Sequence, residues 1–138
     1  MFHFFQKKGD SWYLNNGEII SIVNLQKSNY GNQFYVNLAF WINEIEESEY
    51  PKPYNSHIVI RLTSLFQERK EYFEEVFDLE NPDYSDLERS VEIENIVTSQ
   101  LIPLLNKAHT IAELKQLLKK GYFKNGMIMA IVEELIAR

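Results

Sequence analysis

Eight residues of this 138-residue sequence combine side-chain types that do chemistry with a spacing that brings them together: Asn24, Gln26, Tyr35, Asn37, Trp41, His57, Arg61 and Thr63. In the stretch FYVNLAFWI, Phe34, Val36, Leu38, Phe40 and Ile42 fall on every second residue, so in a strand they share one face. That face is core. The intervening Tyr35, Asn37, Ala39 and Trp41 form a face that is neither charged like a solvated surface nor apolar like a second core. Amides, a phenol, an indole and a guanidinium on a twisted sheet could hold a small polar or anionic ligand, with Arg61 as the planar fork for a carboxylate or phosphate. His57 is the group among them able to exchange a proton at neutral pH. The same residues paired across strands would equally make an ordinary half-exposed sheet surface.

Other chemistries find less support. His3, His57 and His109 are scattered, without the H-x-H or H-x-x-x-H spacing of a metal site, and no cysteine is present for a thiolate site, a disulfide or a nucleophile. Gly17 and Gly31 are isolated, so no phosphate-cradling loop is spelled, and no G-x-S-x-G elbow marks an activated serine. The adjacent pairs Glu46-Glu47 and Glu74-Glu75 read as solvent-facing. We therefore expect no metal and no cofactor, and assign no catalytic residue.

The elements that must position the eight residues are mostly strands. Lys7-Lys8-Gly9-Asp10 reads as a turn, and Phe2, Phe4 and Phe5 ahead of it require burial. Ser11–Leu14 is a short strand, and Asn15-Asn16-Gly17 is a tight-turn signal leading into the next strand. A long hairpin spans Glu18 to Ile45. A four-residue loop, Asn29–Asn32, sets its register: Lys27 faces Phe34, Leu25 faces Val36 and Val23 faces Leu38 on the core side. On the other side Gln26 faces Tyr35, Asn24 faces Asn37, Ile22 faces Ala39 and Ile20 faces Trp41. EESEYPKPYNS, residues 46–56, reads as an exposed connection. His57–Leu65 reads as a further strand, with Ile58, Ile60 and Leu62 on the core face and Arg61 near Ala39, Thr63 near Asn37.

Beyond Phe66 the apolar period changes to that of helices. Glu68–Phe77 is a short amphipathic segment ended by the Pro82 region, and Ser85 with Glu88 is a capping box. Ile93 to Ala108 keeps helical spacing, with a kink or break expected at Pro103. Thr110 with Glu113 caps another helix, which Gly121 ends, and Asn125 or Gly126 opens the last. Strands first and helices after predict an α+β fold: an antiparallel sheet of about four strands in the N-terminal half, covered on one face by three to four C-terminal helices. Length and the lack of a linker predict one domain over residues 1–138.

Composition narrows the partners. Twenty acidic against fourteen basic residues give a net charge of −6, which argues against a phosphate-backbone binder, so no nucleic acid is expected. Nine carboxylates crowd between Glu74 and Glu94 around the single Arg89. This reads as a solvated helix face, with a steering patch for a basic partner as the alternative. No apolar run is long enough to span a bilayer and no signal peptide is evident, so a cytoplasmic protein without membrane contact is expected.

The segment NLQKSNYGNQFYVNL, residues 24 to 38, resembles the bacterial family known as domain of unknown function 4304. The likeness continues in Lys7-Lys8-Gly9 with Trp12, in His57 and Arg61-Leu62, in Tyr72-Phe73, and in Leu101-Ile-Pro103-Leu-Leu with the Thr110–Leu118 helix. Members often carry a helix before the Lys-Lys-Gly turn, and this chain starts too late to hold one. The resemblance implies a bacterial cytosolic protein and supplies no reaction. The reading that follows is a non-enzymatic binding module, docking a protein partner or a second copy on the polar-aromatic sheet face. A small anionic-ligand site or enzyme around Arg61 and His57 is the alternative.

Overall fold

The computed structural model describes residues 5–137; the expected burial of Phe2 and Phe4, and the position of His3, lie outside them. Six antiparallel strands form one sheet in strictly sequential order: β1 (Gln6–Lys8), β2 (Ser11–Asn15), β3 (Ile19–Lys27), β4 (Phe34–Ile42), β5 (Ile58–Arg61) and β6 (Met127–Ile128). The helical part comprises α1 (Leu62–Leu65), α2 (Lys70–Val76), α3 (Asp86–Ile96), α4 (Ile102–Leu105), α5 (Ile111–Lys119) and α6 (Ala130–Ala137). The class is α+β, as the order of apolar periodicities requires.

The β3–β4 hairpin has the register expected from alternation, from Ile20↔Trp41 to Lys27↔Phe34. Gly17 enables the preceding turn, since its φ of +91° lies where a side chain is strained. Two strands exceed the expectation of four. Lys7-Lys8-Gly9-Asp10 reads as a turn, yet only Gly9 and Asp10 turn, and Gln6–Lys8 pairs with Ser11–Tyr13. Met127 and Ile128 pair with β5 over two residues, too few for any period to show.

β5 also corrects the expectation. It ends at Arg61, and Leu62 opens α1, so Thr63 is helical and off the sheet. Its register is two residues from the expected one: Arg61 faces Asn37 and Val59 faces Ala39. A two-residue slip leaves every side chain on its own face, so alternation cannot detect it.

The main core lies between Ile19, Val23, Leu38, Phe40, Ile58 and Ile60 of the sheet and Phe73, Val76, Ile96, Leu105, Leu114 and Val132 of the helices. Both capping boxes are present, at Ser85 with Glu88 and at Thr110 with Glu113. Gly121, at φ +78°, ends α5 with the bonds Gly121 N–H to Leu118 O and Tyr122 N–H to Leu117 O. At Pro103 the chain does not break; Val97–Leu101 widens into a π turn between α3 and α4. The wider turn relieves the clash of a proline ring with the carbonyl four residues back.

Candidate functional site

The face of the sheet turned away from the main core divides in two. At the end distal to the β3–β4 turn, Tyr13, Ile20, Ile22, Ala39 and Trp41 are buried as a second, smaller cluster, with Tyr50 and Val59 packed on it. The cover is the 43–57 connection, which folds back over the sheet. Its attachments are polar groups meeting backbone: the Tyr13 hydroxyl donates to Pro51 O at 3.0 Å, and the Trp41 indole N–H donates to Glu46 O at 2.6 Å. Tyr50 meets Tyr13 edge to face at 5.3 Å.

Trp41 and His57 belong to this covered half. His57 is 4 % exposed and its ring stacks on Trp41 at 4.2 Å. Its Nδ1 accepts the Ile42 backbone N–H at 2.8 Å, so the imidazole replaces a ladder carbonyl just before β5 begins. That bond requires a lone pair on Nδ1 and places the neutral ring's proton on Nε2. Burial lowers the imidazole pKa below its ordinary value, against a smaller upward pull from Glu46. His57 thus serves as a neutral structural pin.

The other half is polar and, apart from the buried Ser11, at least partly open. The strand registers set Lys8, Ser11, Asn24, Asn37 and Arg61 in one row across five strands, with Gln26 and Tyr35 paired beside it. The row is stitched together by its own side chains. Asn24 Nδ2 donates to Ser11 Oγ at 3.0 Å, and Asn37 Nδ2 to Asn24 Oδ1 at 3.2 Å and Gln26 Oε1 at 2.9 Å. Arg61 closes the network through Nε to Asn37 Oδ1 at 3.4 Å and Nη2 to Gln26 Oε1 at 3.3 Å. Its guanidinium carbon lies 4.1 Å from the centroid of Tyr35. At the far end the Lys8 ammonium sits over Tyr50 at 4.5 Å.

Of the eight residues singled out by sequence, the structure therefore brings together Asn24, Gln26, Tyr35, Asn37 and Arg61. Trp41 and His57 lie under the connection, and Thr63 lies on α1. Ser11 and Lys8 are the members that sequence reasoning missed. Carrying the hairpin register through the Asn15–Gly17 turn into β2 reaches Ser11, whereas Lys8 lies in a segment whose composition reads as a turn. The space beside Arg61 is about 10 Å³, room for no more than one water. Among the described residues no group of three or more His, Asp or Glu is placed to hold a metal.

Arg89, the lone cation of the acidic stretch, is not a solvated residue. It is 6 % exposed and caps three backbone carbonyls between α2 and α3: Nε donates to Val76 O at 2.9 Å, and Nη2 to Asp78 O at 3.0 Å and Asn81 O at 3.3 Å.

An α+β chain built on a sequential antiparallel sheet, with one open polar face, is the class that this geometry defines. Residues 4–107 match the family model described as Domain of unknown function (DUF4304), and the chain belongs to that family. No curated protein and no solved structure matches it. No helix among the described residues is long and apolar enough to cross a membrane.

Proposed function

We propose that the protein is a non-enzymatic binding module of the bacterial cytoplasm, docking a protein partner on the row from Lys8 to Arg61 with Gln26 and Tyr35. The observation that carries this reading is the form of the open half-face: its side chains are bonded to one another, Arg61 is held by Asn37 and Gln26, and the hollow that Arg61 borders is only about 10 Å³. Enclosed sites for small molecules are concave and bury most of the ligand. A self-bonded array suits a macromolecular surface instead, and Tyr and Arg are the residue types that concentrate binding energy there. The network also holds Arg61 and the amides in place before binding, which lowers the ordering cost of association. The absence of cysteine suits a reducing compartment.

The small-anion alternative needs a pocket around Arg61 and a free imidazole. Arg61 is already spread over Tyr35 and bonded to two amides, and His57 is engaged by Ile42. The test is recovery of partners by the tagged full-length chain from its source cells, quantified for wild type and Arg61→Ala. A stoichiometric partner retained by the wild type and reduced at least about 30-fold by the variant is expected, the scale of a hot-spot residue. Equal recovery with both, or no stoichiometric partner, would contradict the proposal. Light scattering distinguishes a second copy of the chain from a different protein.

A further inference from the structure

A hollow lies on the opposite side of the sheet, between the first four strands and α3 with its π turn. Its volume is about 650 Å³, within the roughly 300–1,000 Å³ typical of small-molecule sites. The floor consists of Val23, Val36, Ile96, Val97 and Leu101, each 2–4 % exposed. Half-buried aromatic rings, Phe5, Trp12, Phe34 and Phe77, stand around it. Val97 and Leu101 are the two ends of the π turn, a helix irregularity frequent at functional sites. Among the described residues the lining includes a single charge, Lys7, which is exposed and whose ammonium lies 5.5 Å from the Trp12 ring centroid.

We propose that this cleft binds one molecule of a free, long-chain amphipathic carboxylate, with its hydrocarbon chain on the floor and its head at Lys7. The lining determines the class. Twelve of the thirteen described lining residues are apolar, so a hydroxyl or amide along the ligand would lose its water without gaining a side-chain partner among them. The occupant is therefore plain hydrocarbon over most of its length. Each methylene taken from water strengthens binding roughly fourfold, so the chain supplies most of the affinity. With a net charge of −6 the protein does not attract anions over long range, and Lys7 acts as a local anchor that orients the head.

Calorimetric titration of the full chain with laurate, decanoate and dodecanol, each below its aggregation threshold, tests this. Laurate is expected to bind one to one and decanoate about fifteenfold more weakly, from the loss of two methylenes. Lys7→Ala should weaken laurate roughly fivefold and leave dodecanol unchanged. Val97→Trp fills the floor and should abolish uptake of both; Ile93→Trp, at a half-buried position, serves the same purpose should Val97→Trp fail to fold. Absence of saturable binding, equal loss of laurate and dodecanol in Lys7→Ala, or unchanged uptake in a folded filled variant would overturn the proposal. So would one ligand per dimer, uptake only after removal of residues 1–4, or binding only to phosphatidylglycerol vesicles, each of which assigns the cleft another occupant.

Discussion

His57→Phe separates a structural imidazole from a catalytic one. Phenylalanine keeps a ring beside Trp41 and removes the Nδ1 acceptor, leaving the Ile42 N–H without its 2.8 Å partner. A buried donor left unpaired costs about 1–3 kcal/mol, so the variant should be about 2 kcal/mol less stable at pH 7.5. The sign of the pH effect follows from the lowered native pKa. Below the ordinary value of 6.5 the unfolded chain protonates first, so native stability falls as the pH falls, until the depressed native pKa is reached. One proton limits the slope to about 1.4 kcal/mol per pH unit. The variant lacks this dependence, so its deficit should shrink between pH 7.5 and 5.5. Urea denaturation followed by tryptophan fluorescence at the two pH values measures it. A deficit that stays constant or widens on acidification would refute the assignment of His57 as a neutral acceptor.

Three further substitutions probe the scaffold. Arg89→Met should cost about 3–5 kcal/mol in urea denaturation, since it strips three carbonyls of their charged donor. Ser21→Ala should leave stability unchanged or raise it by up to about 1 kcal/mol by thermal melt, because the buried Ser21 hydroxyl has no hydrogen-bond partner among the described residues. Gly126→Ala should cost about 1–3 kcal/mol, since a Cβ there would stand 2.6 Å from Val59 O and 2.8 Å from Ile60 Cβ. Hydrogen exchange should show the loss first at Met129, whose N–H bonds His57 O beside the short β6 pairing.

The hairpin was legible because two constraints agreed: an alternation of period two and a turn whose length set the pairing. β5 met only the first, and a slip of two residues satisfied its pattern as well as the true register does. The composition of EESEYPKPYNS reads as an exposed connection, yet Pro51 is buried and Tyr50 is packed on the second cluster, because their partner Tyr13 is distant in sequence. That cover divides the candidate face and takes Trp41 and His57 out of its open half. Arg89 was hidden for a related reason: among nine carboxylates a cation reads as surface, whereas its bonds are to backbone carbonyls that no sequence pattern displays.

The proposed docking row is tested most directly by photocrosslinking from inside it. A benzophenone-bearing residue at Gln26, exposed at the centre of the open half, should yield one protein adduct of defined mass in source cells, and Arg61→Ala should abolish it. The same group at Leu87, 76 % exposed on α3, should yield no such adduct. Equal adducts from both positions, or none from Gln26, would contradict a partner bound on the row from Lys8 to Arg61.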